Sequence, residues 1–348
     1  MTRRGKLIVS VIASLVLLAV MVFFVGFERT LEAARQVGMP AVLSLGTLMG
    51  LFVVFQAAAW QALNRTVGHR VRFRTLLAAS TVGVAGNMLT PSTYLGGEPG
   101  KLLYIGRRTG LPYEELAGTV LLLKYVEALS FLLFVAAGTV LALTGMEDVL
   151  LGANLPLGVT MIVVAAVALG AVAALWVSLA RQWRPLTVLA GWVARLGVFR
   201  HFFTRLRVRL RRVEDQASGV FRRERSMVIP AFVLFLLTLV TIYLKPLLFF
   251  WLGWGVVLSP AELGLIFLTC QVLLAVQLTP AGVGTLDGGL FGMLALTGIA
   301  ITNPQCAAYL LCLRLWDGII VASGGVLAAR VGLGLFSTPP GNAARNPA

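Results

Sequence analysis

Six apolar runs of membrane-spanning length constrain this chain more than any other feature, at residues 7–27, 41–63, 114–145, 156–180, 227–252 and 305–328. In hydrocarbon every backbone N–H and C=O must be satisfied within the structure, which leaves helices or closed barrels, and about 20 apolar residues in helical form cross the core. Only 12% of residues are charged and mean hydropathy is +0.90, whereas a soluble domain carries about 25% charged residues. The expected fold class is therefore an all-α integral membrane protein. Arg3, Arg4 and Lys6 precede the first run as they would in a signal peptide. No small-x-small cleavage site followed by a polar segment appears, so 7–27 is expected to be a retained helix.

Two further apolar regions, 75–110 and 260–302, are broken in the middle and carry one signature twice. Leu89-Thr90-Pro91 and Leu278-Thr279-Pro280 lie 189 residues apart, and each is followed seven positions after its proline by an acid. Gly96 and Gly97 lead to Glu98 in the first copy, and Gly282 and Gly284 lead to Asp287 in the second. The next apolar helix in each half then carries a cation and an anion three apart, Lys124 with Glu127 and Arg314 with Asp317. Paired interrupted segments at matching places in two halves are a sequence pointer to a transporter's binding site.

Lys and Arg gather on the cytoplasmic side of membrane proteins. Arg3, Arg4 and Lys6 place the N-terminus inside, and both Arg65–Arg74 and the cluster Lys101, Arg107 and Arg108 flank region 75–110 with positive charge. That region is expected to enter and leave on the cytoplasmic side, as a re-entrant hairpin with Thr90, Pro91, Gly96 and Gly97 at its tip. Glu147 and Asp148 mark an outer loop, and 181–226, with 12 arginines, an inner one. In the second half the parity reverses, so 260–302 opens from outside with Thr279, Pro280, Gly282 and Gly284 at its tip. The expected arrangement is an inverted-topology repeat, about 41–180 and 227–330, around a polar cavity at mid-depth. It forms one membrane domain over 1–336, with a disordered tail at 337–348.

Charges inside the bilayer are costly unless paired or facing a cavity. Lys124, Glu127, Arg314 and Asp317 each sit one helical turn from an opposite charge. Such pairs serve either a transport site or the plain packing of one helix on its neighbour, and the recurrence in both halves favours the site. Glu98, beside Pro99, and Asp287 also read as helix-start carboxylates favoured by the dipole. Asn87 and Gln277, just before the two prolines, are placed to satisfy broken backbone or to contact a head group. Lys245, beside Pro246 in the run 227–252, is a further intramembrane cation that would snorkel if it lay near an interface.

Several function classes find no support. His69 and His201 lie in basic loops away from Cys270, Cys306 and Cys312, so no metal-ligand spacing exists. No phosphate loop of the Gly-x-x-x-x-Gly-Lys-Ser/Thr kind occurs, and serines without a partner histidine make no triad. The net charge of +15 sits beside span ends, which fits positive-inside topology; alternating Arg205, Arg207 and Arg209 would also suit an anionic leaflet. The expected partner is lipid, with no nucleic acid, no cofactor, no metal and no enzyme activity.

The run Asn87-Met88-Leu89-Thr90-Pro91 through Gly97-Glu98 and Arg107-Arg108, with Leu278 to Asp287 and Arg314, resembles the lysylphosphatidylglycerol synthase transmembrane region, also called the flippase-like integral membrane family, over about 7–330. Where that family usually has Pro-Gly-Gly-x-Gly ending in Glu, this chain has Pro280-Ala281-Gly282-Val283-Gly284 ending in Asp287. The resemblance implies lipid handling, either moving aminoacylated phospholipids or acting beside enzymes of glycolipid and isoprenoid-lipid synthesis. Fused members carry a large soluble synthase domain, and the longest polar stretch here, 181–226, is far below that size. The expectation is a translocase for a phosphate-containing lipid in a prokaryotic inner membrane, N- and C-termini cytoplasmic, with Glu98 and Asp287 changing protonation during transport. The rival readings are a secondary transporter of a small polar solute or ion and a non-transporting partner of a lipid-modifying enzyme.

Overall fold

The computed structural model describes residues 35–66, 70–90, 96–111, 113–153, 155–181, 225–275 and 284–332, with Glu32, Gly282 and a few positions in 187–219. The expected first span at 7–27, the tip residues Pro91, Thr279 and Pro280, Gln277, both histidines, most of the loop 181–226 and the tail lie outside the described residues. All regular structure among the described residues is helical: α1 (Met39–Thr66), α2 (Phe73–Leu89), α3 (Glu98–Thr109), α4 (Tyr113–Gly145), α5 (Leu155–Ala180), α6 (Arg225–Trp254), α7 (Pro260–Ala275), α8 (Thr285–Thr297) and α9 (Asn303–Arg330). Within α1, α4, α6 and α9, stretches of 27, 30, 27 and 28 residues are long and apolar enough to cross a bilayer. The run expected at 156–180 forms α5, whose described apolar stretch is Gly158–Ala174. Val159, Ile162, Val163 and Val167 on α5 are exposed, as lipid-facing side chains must be where no other helix covers them. The chain is an all-α, multi-pass integral membrane protein.

Element order recurs along the chain. A long helix, two short ones and a long one run α1–α2–α3–α4 and again α6–α7–α8–α9, with α5 between them. The largest interface joins the two opening helices, α1 and α6. Each half's first short helix packs on the closing helix of the other half, α2 on α9 and α7 on α4. Small residues permit these approaches, as at other helix contacts in membranes. A Cβ on Gly264 of α7 would press on the Gly138 carbonyl of α4, and one on Gly324 of α9 would meet Ala85 of α2.

The two broken regions are helical hairpins. In the first, α2 ends at Leu89 and α3 starts at Glu98 with Pro99 in its first turn. The arms close on glycine: a Cβ on Gly97 would land on the Gly83 carbonyl. In the second, α7 ends at Ala275 and α8 starts at Thr285, after Gly284 at φ 84.

Candidate functional site

Each hairpin delivers a carboxylate to a cation within its own closing helix. Glu98, in the first turn of α3, lies 2.8 Å from Lys124 Nζ of α4 and 3.0 Å from Lys101 Nζ. Lys124 also reaches Glu127 Oε2 at 2.7 Å, so one ammonium bridges two carboxylates from different helices. The second half repeats the arrangement with different residues. Arg314 Nη2 donates to Asp287 Oδ1 at 2.8 Å, and Nη1 donates to Asp317 Oδ2 at 3.2 Å. The Asp287 side chain is fully buried, and its Oδ2 accepts the Gly284 N–H at 2.8 Å. It therefore caps α8 and holds Arg314 at once, and the helix-start and ion-pair readings of this acid describe one geometry.

Asn87 holds the first tip. Its Oδ1 accepts the N–H of buried Gly97 at 2.6 Å, which supplies an acceptor where the broken helix offers none. Thr90 Oγ1 donates back to the Gly86 carbonyl at 3.0 Å and ends α2 from within. Asn87→Ala strands the Gly97 amide and is expected to destabilise the hairpin by about 1–3 kcal/mol. Hydrogen exchange at Gly97 and the first turn of α3 should accelerate, and unchanged exchange there would remove Asn87 from the tip's support.

The structure changes one placement from the sequence. Lys101, which the sequence groups with Arg107 and Arg108 in one basic cluster, has a side chain only 3% exposed and lies against Gly83 while paired to Glu98. Arg107 and Arg108 occupy the exposed last turn of the same helix. Local charge clustering does not register that a 12-residue helix is buried at one end and wet at the other.

Both clusters border a single cavity of about 560 Å³, framed chiefly by α1, α4, α6, α7 and α9, within the range of about 300–1,000 Å³ usual for ligand sites. Its charged lining groups are Lys124, Glu127, Lys245, Arg314 and Asp317. Asn87 lines it too, as does Gln56 of α1, a residue the sequence did not single out because one amide in a long apolar run carries no pattern. Trp316 Nε1 donates to the Val42 carbonyl at 2.9 Å, its ring lying against Gly46, and so fixes the turn of α9 bearing Arg314 and Asp317 against α1. Among the described residues no three His, Cys, Asp or Glu side chains gather as a metal site.

The profile of the family described as Lysylphosphatidylglycerol synthase TM region matches residues 7–325. A UPF0104 membrane protein of Methanothermobacter thermautotrophicus is similar, 25% identical over 313 residues that cover 86% of this chain and 88% of that protein. No solved structure matches.

Proposed function

The chain belongs to the lysylphosphatidylglycerol synthase transmembrane-region family, and from that premise we propose that it translocates a phosphate-bearing lipid between leaflets, the head group passing through the central cavity while the chains stay in the bilayer. The observation that carries this reading is the duplicated ion cluster: one cavity bordered in each half by a closing-helix cation, Lys124 or Arg314, that is tied behind it to a hairpin carboxylate. A hairpin cannot leave its closing helix without breaking a buried ion pair, which is strongly unfavourable unless a proton or another ion compensates. In this reading, protonation of Glu98 and Asp287 would accompany release of the hairpins.

The recurring element order and the exchanged packing of α2 on α9 and α7 on α4 support an inverted repeat. In this reading the hairpins are the gates, opening toward opposite sides. The protein resides in a prokaryotic inner membrane with both termini cytoplasmic, and its partners are phospholipid or isoprenoid-phosphate lipids, alongside an enzyme of lipid synthesis.

The test is leaflet exchange of labelled phospholipids and a labelled polyprenyl phosphate in liposomes holding the purified protein. Lys124→Ala should slow exchange about tenfold or more, equivalent to about 1.4 kcal/mol on the barrier. Exchange indifferent to a pH gradient removes the proton step. Failure of every lipid to exchange, with or without the gradient, overturns the translocase and leaves the small-solute transporter and the non-transporting partner of a lipid-modifying enzyme.

A further inference from the structure

Lys124 and Arg314 are already neutralised, each by two carboxylates. Lys245 is different. It lines the cavity with a residue exposure of 8%, and its closest recorded neighbours are Met49 Sδ at 3.7 Å and the Phe52 ring at 5.9 Å. No carboxylate pairs with it among the described residues, and the tip runs 91–95 and 276–281 contain no acid. Asp317 of α9 faces it across the cavity without forming an ion pair and is itself held by Arg314. An intramembrane cation with no direct carboxylate partner is costly to keep.

Position strengthens the case. The 189-residue interval that relates Pro91 to Pro280 and Glu98 to Asp287 also relates Gln56 to Lys245. These two residues sit on α1 and α6, which share the largest interface, and both line the cavity. Gln56 Oε1 is buried and has no hydrogen-bond partner among the described residues; turned about, the same amide presents an N–H. An ammonium and an amide at equivalent places in the two halves thus converge on one space.

We infer that Lys245, assisted by Gln56, is the anion-binding site of this cavity, and that its ligand is a singly charged phosphodiester head group. The inference rests on the translocase reading. Lys245 is the lining cation without a direct ion pair among the described residues, so it has room for one anionic oxygen pair; a second charge on the ligand would face Glu127 and Asp317, and the Arg314 cluster already holds two carboxylates for one guanidinium.

The experiment uses the full chain, with Lys245→Met, which keeps the length and removes the charge, and Lys245→Arg, which restores it. Thermal unfolding in detergent is followed with short-chain phosphatidylglycerol, short-chain phosphatidylcholine and inorganic phosphate, and leaflet exchange of labelled phosphatidylglycerol is measured in liposomes. Phosphatidylglycerol should raise the melting temperature of the wild type and of Lys245→Arg but not of Lys245→Met, by mass action on the folded state, and phosphatidylcholine should not. Without ligand, Lys245→Met should melt no lower than wild type. Its phosphatidylglycerol exchange should fall about tenfold or more.

Lys245→Met that still responds to phosphatidylglycerol, or that melts well below wild type without ligand, overturns the site. Exchange equal in wild type and Lys245→Met sinks the site and leaves the translocase standing. A Lys245-dependent stabilisation in a protein that moves no lipid does the reverse. Stabilisation by inorganic phosphate as large as that by phosphatidylglycerol makes the ligand a free anion and overturns the lipid head group.

Discussion

Arg314→Ala is expected to lower stability by about 3–5 kcal/mol, the cost of leaving a buried charge without its partner. Asp287 has no solvent exposure, and Arg314, itself 12% exposed, lies 2.8 Å from it and 3.2 Å from Asp317. Without the guanidinium, two carboxylates share a poorly hydrated space. Pairing the change with Asp287→Asn removes one of those charges and keeps an oxygen to accept the Gly284 N–H. The double variant should therefore regain at least about 1 kcal/mol over the single one, a coupling of the size expected for residues in contact. Denaturation in detergent reads both quantities. A double variant no more stable than Arg314→Ala would mean that the loss comes from packing and not from charge. Under the proposed translocase function, lipid exchange should stay low in both, since the tie between α8 and α9 is gone in each.

Gly97→Val should damage the protein comparably, for a reason that has nothing to do with charge. A Cβ at Gly97 falls on the backbone carbonyl of Gly83, and a Cβ at Gly86 would in turn press on Gly97. Ordinary overpacking costs about 1–3 kcal/mol because side chains yield; here the obstacle is backbone, and the hairpin arms must part. The loss should reach at least about 3 kcal/mol, with rapid hydrogen exchange through α2 and α3. Gly292→Ala on α8 is the control, because a Cβ there has open space around it. It should leave stability unchanged or raise it by up to about 1 kcal/mol from helix propensity. Equal destabilisation by both changes would refute the close approach.

The two expectations draw on unlike sources. The Arg314–Asp317 spacing is periodic, so a reader of the chain sees both charges on one face. The Gly97–Gly83 approach is not periodic at all. Gly97 announces a break in the apolar region, but nothing in the order of residues says which atom it must make room for. Lys101 is the sharper lesson. Arg107 and Arg108 beside it imply an aqueous end, and only the docking of the first turn of α3 on Gly83 buries it with Glu98.

What the sequence determined by itself was set by solvation: apolar runs long enough to cross a bilayer, helices as the form that satisfies their backbones, and two Gly/Pro interruptions carrying acids that hydrocarbon would not tolerate unpaired. These requirements act on each segment separately, so they are readable segment by segment. The tertiary structure decided which charge meets which. Lys124 bridges Glu98 and Glu127, Arg314 bridges Asp287 and Asp317, and Lys245 with Gln56 is left facing the cavity. The physical reason is that pairing depends on the relative placement of whole helices, fixed by α1 on α6, α2 on α9 and α7 on α4. Hydrophobic patterning within a helix specifies that it is buried in lipid or protein, and leaves open which neighbour it faces.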